Sequence, residues 1–121
     1  MSDATELARE FARQVEATTE ATRRGDSPGA HQGSKRVVTV GRRILEQFGD
    51  DGAEALVALL THDRRDVRIE AASQLLGHRT EAAVGLLEKE AAEGDFLAQM
   101  ALKNWRSGNW NVGPPAKRTK P

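Results

Sequence analysis

Three histidines, one serine in a helical pattern and one glycine–lysine segment are the residues whose types could support chemistry in this chain. His31, His62 and His78 are its only histidines, and no two stand at the i, i+4 spacing that lets a helix present a pair of imidazoles to zinc. His62, Asp63 and Asp66 offer ligand-type side chains close together, but in a polar break between helical patterns they read as solvated loop residues and a helix cap. Ser73 lies inside a helical pattern, away from the strained strand-to-helix turn that makes a serine nucleophilic. Gly29-Ala30-His31-Gln32-Gly33-Ser34-Lys35 has the composition of a phosphate loop without its spacing: the glycines are four apart instead of five, serine precedes lysine, and no strand leads in. The absence of cysteine removes disulfides, thiolate metal sites and thiol nucleophiles. No catalytic, cofactor or metal site is assigned, and the chain reads as a non-enzyme.

Charge carries more information. The chain holds 18 basic and 18 acidic side chains, yet the signs are segregated. Residues 28–48 carry Lys35, Arg36, Arg42 and Arg43 against Glu46 alone, whereas residues 49–77 carry six acids, Asp50 and Asp51 among them, against Arg64, Arg65 and Arg68. Lys117, Arg118 and Lys120 make the last fourteen residues basic. A dedicated duplex binder shows a basic excess over the whole domain, which is missing here. Opposed patches suit a partner of complementary charge. The expected partner-binding residues are Lys35, Arg36, Arg42, Arg43, Asp50, Asp51, Arg64, Arg65, Arg68 and Trp110. Asp50 and Asp51 have an ordinary alternative as helix-start acids, and a basic helix face is most often merely solvated.

The elements that must position these charges are helices. Leu7, Phe11 and Val15, flanked by Ala4, Ala8 and Ala12, recur at i, i+4, i+8 and predict a first helix over Ala4 to Arg24 with one narrow buried face. Gly25 to Gly33 has a linker's composition, although Asp26 or Ser27 could cap a helix entered at Pro28. Val37, Val40, Gly41, Ile44, Leu45 and Phe48 then share a face from about Ser34, and the pattern stops before Gly49. A third helix follows the turn Asp50-Asp51-Gly52 and runs to Thr61. A fourth, capped by Asp66, ends at Gly77, and a fifth is capped by Thr80. A sixth, Phe96 to Arg106, is expected to bury Phe96, Leu97, Met100, Ala101, Leu102 and Trp105.

Within this series the chain repeats itself. Glu54-Ala55-Leu56-Val57-Ala58-Leu59-Leu60 returns 27 residues later as Glu81-Ala82-Ala83-Val84-Gly85-Leu86-Leu87, each copy followed by a break and a second helical segment. A helical hairpin used twice is a repeat architecture, and such arrays present binding surfaces. Past Gly108 the pattern ends, and Trp110 either folds back to seal the last repeat or anchors an interface.

Asp66-Val67-Arg68, Ala71-Ala72 and Leu75-Leu76-Gly77 together resemble the second helix of a HEAT repeat. In that pattern the Asp caps, the Val and alanines pack inside, and the Arg lies along the neighbouring repeat. The hairpin 53–77 fits it well. In the hairpin 80–106, Gly94-Asp95-Phe96-Leu97 replaces Asp-Val-Arg, which implies a terminal repeat. With His78-Arg79-Thr80-Glu81-Ala82-Ala83, Glu93-Gly94 and Lys103-Asn104-Trp105-Arg106-Ser107-Gly108, the segment 34–110 also resembles a family of short bacterial HEAT-like proteins carrying a domain of unknown function. Some members of it sit near toxin and immunity modules.

The expectation is therefore an all-α chain, a short right-handed HEAT-like solenoid of about six antiparallel helices. Residues 1–27 form the N-terminal helix and linker, 28–108 the repeat core and 109–121 a basic tail. The N-terminus lacks an apolar secretory segment and no apolar run is long enough for a bilayer, so a cytoplasmic protein without membrane contact is expected. The expected partner is another protein, a toxin or enzyme that an immunity or adaptor protein would block or position. Nucleic acid on a basic concave face is the rival.

Overall fold

The computed structural model describes residues 3–108, and every element in that span is helical. α1 runs over Ala4–Arg23, α2 over Ser27–Ala58, α3 over Arg65–Leu75, α4 over Thr80–Ala92 and α5 over Phe96–Ser107, and a 3₁₀ turn at Leu59–Thr61 ends α2. The all-α class is as expected. Among the described residues there are five helices, the second and third expected helices running on as two arms of α2 that meet at the non-helical Gly49.

α1 follows its sequence pattern. Asp3 caps it by accepting from the Glu6 N–H at 2.9 Å, and Ala4, Ala8, Phe11, Ala12 and Val15 form its buried stripe. Burying that stripe against α2 stabilises a helix whose threonine-rich last turns have modest intrinsic propensity.

α2 begins earlier than its composition suggests. Asp26 accepts from the Gly29 N–H at 2.9 Å, and Pro28 occupies the first turn, where a missing N–H leaves no bond unmade. The connection to α1 thus shrinks to three residues, Arg24 to Asp26. Gly33, read as linker, is buried where α2 crosses Thr18 of α1. Contact between the helices outweighs the low helix propensity of the glycines.

Gly49 breaks the direction of α2. Its φ of 53° and ψ of −122° lie outside the helical region and in one that L side chains rarely adopt. Helical geometry resumes at once, so Asp50-Asp51-Gly52 is a helical segment of the second arm instead of a separate turn and cap.

α3 is the most enclosed element, with Val67, Ile69, Ala71, Ala72, Ser73, Gln74 and Leu75 all buried, and it touches all four other helices. Its backbone cap is Arg64, and Asp66 falls inside the first turn. Thr80 likewise is the first residue of α4 and not its cap; its hydroxyl donates back to the Leu76 carbonyl at 2.7 Å. Asp95 does cap α5, accepting from the Ala98 N–H at 2.9 Å.

Of the paired leucines of the two sequence copies, Leu87 is buried in one continuous core with Phe11, Ile44, Leu56 and Leu75, and Leu59, Leu60 and Leu86 are partly buried and packed against that core. α5 departs from expectation at its start. Ala98 and Leu102 are buried and Trp105 packs partly against the core, but Phe96 and Leu97 stay 66% and 55% exposed. Once Ala98 and Leu102 set the buried face, the 3.6-residue period turns the two preceding positions away from it.

Candidate partner-binding cleft

The cations and acids singled out by the sequence do not form one site. Lys35, Arg36, Arg42 and Arg43 are exposed along α2, where the Arg36 Nε donates to Gln14 Oε1 at 3.2 Å. Asp50 and Glu54 each lie 3.5 Å from the Arg79 guanidinium, and Asp51 is exposed beside them on the second arm. Trp110 and the terminal basic residues lie outside the described residues.

The three arginines before and within α3 are engaged inside the chain. Arg64 donates through Nε and an NH2 group to the two Asp66 oxygens, at 3.1 and 2.8 Å. Arg65 donates to Glu90 at 2.8 Å and to Glu93 at 2.8 Å. Arg68 donates to Glu90 at 3.1 Å and to the carbonyls of His62 and Asp63. Glu90 itself is only 1% exposed. Enclosure strips a carboxylate of its hydration, and two guanidiniums on the two Glu90 oxygens offset that loss. These arginines therefore join α3 to α4.

His62 is also engaged, its Nδ1 accepting from the Arg64 N–H at 3.0 Å. With Asp66 taken up by Arg64 and Thr19, the His62–Asp63–Asp66 set is not assembled, and no group of three metal-type ligands converges among the described residues. The Ser73 hydroxyl donates to the Ile69 carbonyl at 3.0 Å within its own helix. No helix of the described residues is long and apolar enough to cross a membrane.

A cleft lies elsewhere, where four helices meet. It measures about 600 Å³ and is walled by Val15, Thr18, Thr19, Thr22 and Arg23 of α1, Ser34, Val37 and Val38 of α2, Asp66 and Glu70 of α3, and Leu97 of α5. Its walls are mostly apolar. The threonine hydroxyls spend their hydrogens within the chain: Thr18 on the Gln14 carbonyl at 2.8 Å, Thr22 on the Thr18 carbonyl at 3.1 Å, and Thr19 on Asp66 Oδ2 at 2.6 Å. What they still offer is acceptor capacity.

Two carboxyls share this cleft and differ sharply. Burial pushes the Asp66 carboxyl up, but hydrogen bonds from Arg64 and Thr19 prevail and hold it below its ordinary value. Glu70, one turn along α3 and half-buried, makes no hydrogen bond or ion pair with another described residue. Burial, and then the charge of Asp66, push its carboxyl up to about 7. Arg23, the one cation among the described residues of the wall, is paired with Glu20 at 2.8 Å.

Sequence reading missed both the cleft and Glu70. Thr18, Thr19 and Thr22, weak helix formers grouped on one helix end, and a glutamate set directly between Ile69 and Ala71 were the available signals. Comparison with protein-family models, curated proteins and solved structures gives no match to this chain.

Proposed function

We propose that this chain is a non-enzymatic protein-binding module, a short right-handed solenoid of helical hairpins whose working face is the α1–α2–α3–α5 cleft. The observation that carries the reading is the pair Phe96 and Leu97. They are large apolar side chains, mostly exposed and adjacent, and Leu97 forms part of the cleft wall. Isolated exposed leucines are ordinary, but a leucine that walls an apolar cleft and is preceded along the chain by an exposed phenylalanine has the make-up of an interface anchor. Covering them contributes roughly 1.5–3 kcal/mol per side chain. The solenoid arrangement is supported by the common core of the two leucine pairs and by the packing of each helix on the next in sequence.

A rigid module of this kind suits an immunity or adaptor protein that blocks or positions its partner. The nucleic-acid alternative draws on Lys35, Arg42 and Arg43 along α2, but the engagement of Arg64, Arg65 and Arg68 in internal ion pairs counts against it.

Affinity purification from the native cell, run in parallel with a Phe96→Ser/Leu97→Ser variant of matching helical circular dichroism, tests the reading. One partner should be retained in stoichiometric amount by the parent chain and lost from the variant. Retention by the variant with loss on Arg42→Glu/Arg43→Glu would move the interface to α2 and overturn the assignment of the cleft.

A further inference from the structure

We propose that the cleft receives a lysine or arginine side chain, presented by an apolar segment of the partner protein, with Glu70 as its counter-ion. This rests on the protein-binding reading and specifies what the occupant must carry.

Three observations converge on it. The first is a contrast among the enclosed acids of α3 and α4: Glu90 is matched by Arg65 and Arg68, and Asp66 by Arg64 and Thr19, whereas Glu70 has no partner among the described residues. A carboxylate kept in apolar surroundings without a cation is unfavourable, and a cation from outside would complete the pattern that the chain follows at Glu90.

The second is the polarity of the lining. Thr18, Thr19 and Thr22 have already spent their hydrogens, and Asp66 and Glu70 accept when ionised, so acceptors outnumber the donors that the Ser34 hydroxyl and the Glu20-paired Arg23 bring to the wall. An ammonium or guanidinium group has only donors, and such a lining distinguishes it from an anion or a carbonyl. The third is the apolar remainder of the wall. Val15, Val37, Val38 and Leu97 match the methylene stem of a long cationic side chain and the residues on either side of it.

Among the described residues the charged groups on the cleft wall beside Glu70 are Arg23 from α1 and Asp66 from α3, and neither α2 nor α5 contributes one. With Arg23 turned to Glu20, the negative side dominates. An incoming cation favours the ionised form of Glu70, so below about pH 7 binding releases a proton.

The test uses the full chain, ¹⁵N-labelled, titrated separately with n-hexylammonium, 1-hexanol and hexanoate at pH 8 and followed by amide shifts. Hexylammonium should move the amides of Thr19, Thr22 and Glu70 and bind about tenfold more tightly than hexanol, the worth of one charge-assisted pair. In Glu70→Gln, hexylammonium should fall to the level of hexanol while hexanol itself is unaffected. Equal binding of the two by the parent chain, or a preference that survives Glu70→Gln, overturns the counter-ion role and leaves the apolar cleft standing. Preference for hexanoate overturns it in favour of Arg23. Failure of all three to move cleft amides removes the cleft as a binding site, and the protein-binding reading of this face with it. If Glu70→Gln shifts the Lys117, Arg118 and Lys120 amides with no ligand added, the occupant is the chain's own terminus. If it dissociates a dimer in sedimentation, the occupant is a second copy. Either result overturns a foreign partner.

Discussion

Asp66 and Glu70 stand one helical turn apart on α3 and line the same cleft, yet their surroundings drive the two carboxyls in opposite directions. Asp66 accepts from Arg64 and Thr19 and is held ionised; Glu70 has no donor, lies beside the Asp66 charge and is pushed up to about 7. The internal ion pair thus completes one acid and disfavours the charge of the other.

Glu70 should make the chain less stable as pH rises. Its folded value, about 7, exceeds the ordinary 4.5, so between those limits the native state holds a proton that the unfolded chain has released. Stability from this group is full below about pH 4.5 and is lost as pH climbs through 7. The gap caps the loss at about 3 kcal/mol, and partial solvent access lowers it to about 1–2 kcal/mol. Glu70→Gln, an isostere of the protonated acid, should stabilise the chain by that amount at pH 8 and by almost nothing at pH 4.5. Urea unfolding of parent and variant at the two pH values measures both, and an equal effect at each would contradict the assignment.

The Arg65–Glu90–Arg68 cluster should respond far more strongly than the ion pairs at the surface. Glu90→Ala removes the enclosed acceptor of two guanidiniums that are themselves partly exposed, and should cost about 2–3 kcal/mol. Glu88, paired with Arg106 at 2.6 Å but well exposed, is the internal control, and Glu88→Ala should stay within about 0.5 kcal/mol. Chemical denaturation separates them, and similar losses at both sites would show that enclosure of Glu90 is not what gives the cluster its weight.

Gln74 and Gly41 should behave as one unit. Gln74 is fully buried on α3, neither its Nε2 nor its Oε1 has a hydrogen-bond partner, and its Cδ would lie 2.6 Å from a Cβ placed on Gly41. Gly41→Ala should therefore destabilise the chain by about 1–3 kcal/mol through overpacking. Gln74→Leu removes an unsatisfied amide and should stabilise by about 1 kcal/mol. Gly41→Ala combined with Gln74→Ala should cost much less than the two single losses added together. A thermal-unfolding double-mutant cycle gives the coupling, and strict additivity would rule out the contact.

Local periodicity carried much of this fold. The stripe of Ala4, Ala8, Phe11 and Val15 was readable because i, i+4 spacing allows one buried face, and the copied leucine pairs pointed to the core they share. The start of α2 at Asp26 and Pro28 was legible as a cap and first turn, but the glycines that follow read as linker, because the contact of Gly33 with Thr18 of α1 has no local mark in the sequence. The engagement of Arg65 and Arg68 was hidden because Glu90 lies 25 and 22 residues away, and nothing local marks it as buried. The cleft draws on four helices. Its key residue, Glu70, differs from a solvated acid only in what α1, α2 and α5 bring around it.

Gly49 was readable as a break, and the way the chain makes that break allows a sharp test. With φ of 53° and ψ of −122°, the residue sits where a Cβ is strained whatever space surrounds it, and none of the neighbouring atoms would obstruct one. Gly49→Ala should thus destabilise by about 1–3 kcal/mol through backbone strain alone. If α2 straightened instead, its second arm, with buried Ala53 and Leu56, would be pulled from the core at a larger loss. Gly85, exposed within α4 and also clear of neighbours, isolates the difference. There alanine should stabilise by about 0.5–1 kcal/mol because the helical backbone accepts it. Opposite signs at two equally uncrowded glycines, measured by urea denaturation, would establish that conformation at residue 49 turns the first arm of α2 into the second. Equal signs would mean the chain bends there for another reason.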